Sequence, residues 1–207
     1  KKYKVIICIP TYFSVHAELL EQFITLGSWA SSNDYPILTI FNKSQLDAKN
    51  WLATGGGGLS NSKMLNQMTD TLVWINSNIV FNTNQIEQLI DNEHPFVSAT
   101  YYKDGKVDAG KFNEGEIKYL TEQDINDARG KTIPVDYVGF GFCKTASYLF
   151  EKMSYPYFTN KVVTIKKNKK VFTDNVSEDM SFCMDSTVKP VLDTKIDVLK
   201  YNVGGFR

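Results

Sequence analysis

Apolar residues fall into short blocks along this chain, and two kinds of spacing alternate. Val5-Ile6-Ile7-Cys8-Ile9 is a continuous, largely β-branched run, the pattern of a strand buried on both faces in a parallel sheet. Beyond Pro10-Thr11-Tyr12, the residues Leu19, Leu20, Phe23, Ile24 and Leu26 recur at helical spacing, and Gly27 predicts the end of that helix. Pro36 to Phe41 reads as a second strand, Asp47 to Ala53 as a helix running into Gly55-Gly56-Gly57-Gly58, and Asn61 to Met68 as another helix. Thr71 to Ile75 is a third strand, Asn84 to Ile90 a helix, and Phe96 to Thr100 a fourth strand. Strand and helix alternate through the first hundred residues, which predicts an α/β fold around a largely parallel sheet.

The rhythm changes after Tyr102. Asp104-Gly105 predicts a hairpin turn. Pro134 to Val138 reads as a strand followed by Gly139-Phe140-Gly141-Phe142, and Thr145 to Met153 as a short helix. Val162 to Val171 reads as a small antiparallel hairpin with lysines at its tip, Ser177 to Met184 as a helix capped by Ser177, and Val191 to Leu199 as a last strand. With no internal repeat, linker or low-complexity segment, residues 1–207 read as one domain.

Composition narrows the function. Lys plus Arg and Asp plus Glu both number 23, so the basic excess of a nucleic-acid binder is missing. No apolar run approaches the ~18–20 residues of a membrane span, and the apolar start is too brief for a cleavable leader. The three cysteines, Cys8, Cys143 and Cys183, are scattered, which fits a reduced, cytoplasmic chain better than a disulfide framework or a thiolate metal site.

Candidate chemistry follows from topology. Open α/β sheets bind ligands at the carboxyl ends of their strands. Three such ends carry polar or aromatic groups: Pro10-Thr11-Tyr12, Asn76-Ser77-Asn78 and Thr100-Tyr101-Tyr102. The first can offer backbone N–H groups, a hydroxyl and an aromatic face; it is equally a plain strand-to-helix turn. Gly55 to Gly58 is no phosphate loop, because no Gly-Lys-Ser/Thr follows and no strand directly precedes it. Ser177-Glu178-Asp179 sets two carboxylates at a helix start, either as acid–base groups or as acids favoured by the helix dipole. Gly139 and Gly141 permit close backbone approach to a ligand, or mark a sheet bend. His16 and His94, the only histidines, have no motif spacing, so a histidine metal site or a Ser-His-Asp triad is poorly supported. A dehydrogenase lacks its G-x-G-x-x-G turn here.

The order of these segments is more telling than any one of them. Val5 to Tyr12, Asp47-Ala48-Lys49-Asn50, Leu72 to Phe81, Gly139 to Phe142, Ser177 to Cys183 and Leu192 to Ile196 follow one another as in the GT-A nucleotide-sugar glycosyltransferases. Nearly the whole chain resembles that family, and most of all its small virus-encoded type, exemplified by a chlorella-virus capsid glycosyltransferase. The resemblance implies a GT-A, Rossmann-like α/β fold. It implies a UDP-sugar donor, a glycan or glycoprotein acceptor and a cytoplasmic setting, that of the host for a viral protein. Pro10, Thr11, Tyr12, Asp47, Lys49, Asn50 and Ser77 then take the nucleotide. Gly139, Gly141, Phe142, Tyr101 and Lys200 line the sugar and acceptor pocket, with Asp179 as the acceptor-side carboxylate supported by Glu178.

Two positions depart from the family pattern. Its Asp-x-Asp, which holds Mn²⁺ or Mg²⁺ on the diphosphate, reads Asn76-Ser77-Asn78 here, and Lys200 stands where a metal histidine is usual. Asn ligates a hard cation without contributing charge. An ammonium can itself neutralise a diphosphate. The alternative reading is a non-catalytic nucleotide-sugar or glycan-binding domain that has lost its metal site.

Overall fold

The computed structural model describes residues 1–11, 15–41, 43–55, 67–113, 116–167, 170–202 and 205–206. In chain order its elements begin β1 (Tyr3–Pro10), a 3-10 turn (Ala17–Leu19), α1 (Leu20–Ser32), β2 (Ile37–Ile40), α2 (Gln45–Ala53), β3 (Thr69–Ile75), β4 (Ile79–Val80), α3 (Thr83–Asp91) and β5 (Phe96–Thr100). Then come β6 (Tyr102–Lys103), β7 (Lys106–Val107), β8 (Ala109–Asn113), β9 (Glu116–Tyr119), α4 (Glu122–Asp127), β10 (Thr132–Pro134), β11 (Tyr137–Val138), β12 (Phe142–Ala146) and a 3-10 helix (Ser147–Lys152). The chain continues through β13 (Lys161–Lys167), β14 (Lys170–Val176), α5 (Glu178–Asp185), β15 (Val191–Asp197), β16 (Leu199–Asn202) and β17 (Gly205–Phe206).

Seven strands form the central sheet in the order β10-β15-β5-β12-β3-β1-β2. β1, β2, β3, β5 and β15 run one way, while β12 and β10 run against them. The mostly parallel, helix-flanked α/β architecture expected from the alternating pattern is therefore what the chain adopts. The long apolar runs have a simple cause. In β1 and β3, Ile6, Cys8, Leu72 and Trp74 enter the core on one face, and Val5, Ile7, Ile9, Val73 and Ile75 enter the core on the other. The first core is aromatic: Phe140 lies 5.7 Å from Trp74 and 5.0 Å from both Phe158 and Phe182. The Trp74 indole N–H donates to Thr145 at 2.9 Å, so its polar atom is satisfied inside the sheet.

Local chemistry sets several boundaries. Ser44 caps α2 by accepting from the Asp47 N–H at 3.1 Å, and Ser177 caps α5 by accepting from the Met180 N–H. Asp104 and Gly105 have φ of 52° and 77°, both in the left-handed region a tight hairpin turn requires, and they join β6 to β7. β13 and β14 form the lysine-bearing hairpin.

Four expectations need correction. α1 continues to Ser32, and a side chain at Gly27 would meet nothing within 4 Å, so the glycine sits mid-helix without breaking it. The stretch 134–138 is not one strand: Pro134 ends β10 in the central sheet, while Tyr137–Val138 pair with β8 in a separate sheet. Thr145 lies in β12, where it pairs with Leu72 and Phe96, so the expected helix starts later and is a 3-10 helix, Ser147–Lys152. The final stretch divides at Val198 into β15 and β16. Tyr12, glycines 56 to 58, residues 61–66 of the helix read at 61–68, and the hairpin tip at 168–169 lie outside the described residues. No helix among the described residues is long and apolar enough to cross a membrane.

Candidate functional site

β1, β3 and β5 share a direction, so Pro10, Ile75 and Thr100 end at one edge of the sheet. β12 opposes them, which brings its incoming segment Gly139–Gly141 to the same edge. Phe142 pairs with Ile75, and the Asn76 N–H donates to the Gly141 carbonyl at 2.8 Å. At this edge a cleft of about 250 Å³ is lined by Gln45, Lys49, Asn76, Ser77, Asn78, Tyr101, Lys103, Asp108, Glu178, Asp179 and Lys200, with His16 and Ile79 completing its wall.

Lys49 is the buried hinge of the cleft. It lies on the inner face of α2 and is 1% exposed. Its ammonium stands 5.8 Å from the ring centroids of both Phe140 and Phe158. It donates to Glu178 Oε1 at 3.0 Å and to Asp179 Oδ1. Asp179 Oδ2 accepts the Phe140 N–H at 3.0 Å. The helix start at Ser177 thus presents both carboxylates to one lysine 129 and 130 residues away in sequence. One positive charge cannot balance two negative ones. Burial, with Glu178 next to it, raises Asp179 above the ordinary aspartate range despite Lys49. Burial opposes ionisation of Glu178 too, but the Lys49 ammonium prevails and holds it below the ordinary glutamate value. For Lys49, burial works against the charge and the two carboxylates outweigh it.

Beside this triad lies a second buried network. The Tyr137 hydroxyl donates to Asp108 Oδ1, and the Gly141 N–H donates to the Tyr101 hydroxyl at 2.9 Å. Burial, then the Asp108 charge, pushes both phenols up, so they remain neutral. Glycine is required at 139 and 141 for close approach. A Cβ on Gly139 would lie 2.2 Å from Asp108 Oδ2 and from the Tyr101 hydroxyl, and one on Gly141 would lie 2.7 Å from the same ring.

Among the described residues four polar groups at this end lack hydrogen-bond partners although their atoms are buried: Gln45 Oε1, Asn76 Oδ1, Thr11 Oγ1 and Thr100 Oγ1. Buried polar atoms are nearly always paired, so these are places where a ligand's donors can be met.

Most of the residues singled out from sequence meet in this cleft: Lys49, Asn76, Ser77, Asn78, Tyr101, Glu178, Asp179 and Lys200 line it, and Gly139 and Gly141 stand behind Tyr101. Others are occupied elsewhere. Asn50 spends its amide on the Phe158 backbone, donating at 2.7 Å and accepting at 2.9 Å. Asp47 accepts from the Ser44 hydroxyl at 2.7 Å at the start of α2. Phe142 is buried in the second core, 5.7 Å from Phe81. The Pro10 carbonyl accepts from Gln45 at 3.5 Å. Sequence reasoning missed Gln45, Lys103 and Asp108. Lys103 could have been found, because it immediately precedes the Asp104-Gly105 turn and a hairpin there returns its neighbours to the strand end.

A divalent cation makes specific demands on a donor set. Hard cations take several oxygens, carboxylates foremost. At the strand end the oxygens are the neutral amides of Asn76 and Asn78, three ammoniums share the cleft, Glu178 and Asp179 are committed to Lys49, and Asp108 accepts from the Tyr137 hydroxyl. Among the described residues no group of three or more His, Cys, Asp or Glu is placed to hold a metal ion. The residues present do not fit a protein-held divalent ion.

Fold and cleft define an α/β protein with a mostly parallel sheet and a polar site at its carboxyl edge. No protein-family model and no curated protein matches the chain. Among solved structures it is similar to A197 from STIV, with a TM-score of 0.60 and 15% identity over 97% of this chain and 87% of that one. At that identity the likeness carries the fold and no activity.

Proposed function

We propose that this protein is a glycosyltransferase that moves a sugar from a UDP-sugar to a hydroxyl of a glycan or glycoprotein. The observation that carries this reading is the content of one cleft. It holds ammoniums for an anion, unpartnered amide oxygens for ligand hydroxyls, and a carboxylate raised by burial. A nucleoside diphosphate sugar offers the matching anion and hydroxyls. The resemblance to the GT-A enzymes in segment order supports the same donor.

In this reading the bond between the sugar's anomeric carbon and the diphosphate oxygen breaks as the acceptor oxygen bonds to that carbon. The acceptor proton passes to Asp179. A raised carboxylate is the better base, because its affinity for a proton lies nearer the working pH. Lys49 and the Phe140 N–H hold that carboxylate in place, and Glu178 keeps Lys49 charged.

A non-catalytic nucleotide-sugar-binding domain is the second reading. Asn76 and Asn78 at the strand end, and the engagement of both Asp179 oxygens, favour it. Release of UDP from UDP-sugars, with and without acceptor glycans, separates the two. Asp179→Asn should lower transfer by at least ~100-fold while UDP binding stays level. Tight UDP binding with no release from any UDP-sugar would establish the binding domain instead.

A further inference from the structure

Lys103 and Lys200 enter the cleft from separate elements. Lys103 ends β6, one residue before the Asp104-Gly105 turn. Lys200 lies on β16, paired with Ile79 of β4, so it is registered against the segment that follows Asn78; the Tyr201 N–H donates to the Asn78 carbonyl at 2.7 Å. Three other lysines of this sheet region have fixed partners. Lys49 has its carboxylates, Lys144 donates to the carbonyls of Ile90 and Asn92 at the end of α3, and Lys161 pairs with Asp185. Lys103 and Lys200 have no such partner among the described residues.

Burial, with the Lys103 charge adding to it, holds Lys200 below the ordinary lysine value, while Asp108, Asp104 and Asp179 pull the other way. Two like charges brought into one half-buried cleft repel, and a protein keeps such a pair where an anion relieves it. The adjoining strand end supplies only neutral amides. The charge that a divalent cation would contribute is therefore already present in the side chains.

We propose that Lys103 and Lys200 form a two-ammonium site that binds the diphosphate group directly, without a divalent cation. This deepens the glycosyltransferase reading and rests on it for the identity of the natural ligand. Two point charges on different strands can each take one phosphoryl group, and Lys103, exposed on its hairpin, can follow the group as it enters and leaves.

Inorganic pyrophosphate is the probe, titrated calorimetrically into the 207-residue chain in excess EDTA. Binding is expected. Lys103→Gln and Lys200→Gln should each weaken it by about tenfold or more, the scale of a charge-assisted contact. The Arg variants should retain it, and Lys106→Gln, which alters a lysine lying over Tyr119 outside this cleft, should leave it unchanged. Melting curves of every variant verify that the fold is intact. Binding that requires Mn²⁺, or Gln variants that bind as wild type does, would overturn the proposal. UDP titrated in the same buffer separates the two levels. UDP bound no more tightly than pyrophosphate removes the nucleoside reading and leaves the anion site standing. UDP bound well, but only with Mn²⁺, leaves the nucleotide reading and overturns the metal-free site.

Discussion

Replacing Lys49 by Met would isolate the charge at the centre of the cleft. The Met side chain keeps an apolar stem against Phe140 and Phe158, so packing changes little while the ammonium is lost. Glu178 and Asp179 would then face each other with no counter-charge, at 20% and 15% exposure. Removing one partner of a buried ion pair costs about 3–5 kcal/mol, and partial access to water places this case near 3 kcal/mol. That is a large share of a typical domain's stability of about 5–15 kcal/mol. The sign with pH follows from the carboxylates. Wild-type Glu178, held below its ordinary value of 4.5, contributes stability above that value and loses it as pH falls through its lowered folded value. In the variant that contribution is gone and both folded carboxyls bind protons more tightly. The deficit should thus be full at neutral pH and close as the medium is acidified through the carboxylate range. Urea denaturation at a series of pH values measures it. Lys49→Met/Glu178→Gln/Asp179→Asn should regain most of the loss, because no buried charge remains. A loss below about 1 kcal/mol at neutral pH, the value of an exposed pair, would refute the buried-triad account. So would a loss that does not change with pH.

Gly139→Ala should destabilise the fold by about 1–3 kcal/mol, since its Cβ would meet Asp108 and Tyr101 at 2.2 Å; urea melts of that variant check it. Asn76→Asp/Asn78→Asp should restore charge to the strand end and tighten Mn²⁺ by about tenfold or more in the presence of UDP. Equal Mn²⁺ affinity in wild type and double variant would mean that charge at this position does not limit metal binding.

The parallel core was legible because its signal is one-dimensional. A strand buried on both faces must be apolar at every position, and Val5 to Ile9, Leu72 to Ile75 and Phe96 to Val97 are. β12 escaped that rule. It is a central strand, yet Lys144 and Thr145 sit in its middle, and their burial makes sense only with distant partners: Lys144 ends on the carbonyls of Ile90 and Asn92, and Thr145 accepts from Trp74. No local pattern announces a lysine whose acceptors are more than fifty residues away. The strand at 134–138 failed for a related reason. Val135, Tyr137 and Val138 are β-prone, but Asp136 stops the run between two sheets, its backbone N–H donating to the Gly110 carbonyl and its carboxylate accepting from the Phe112 N–H.

The site shows the same limit more sharply. Glu178 and Asp179 were visible as acids in a first helical turn, where the helix dipole alone is a sufficient reason for them. Lys49 was visible as a helix residue, and through the family resemblance as a nucleotide contact, but not as the partner of these two carboxylates. What turns these into a site is the reach of Lys49 from α2 to the start of α5, which pairs one ammonium with two carboxylates and, through Asp179, fixes the Phe140 backbone of the glycine segment. Tertiary packing also settles which glycines matter. Gly27 lies free in α1, whereas Gly139 and Gly141 are hemmed in by Tyr101, a residue whose position depends on the neighbouring β5. The chemistry of the cleft is thus a property of pairs: Lys49 with Asp179, Tyr137 with Asp108, Lys103 with Lys200. A single sequence displays the members of each pair, and only the fold makes them neighbours.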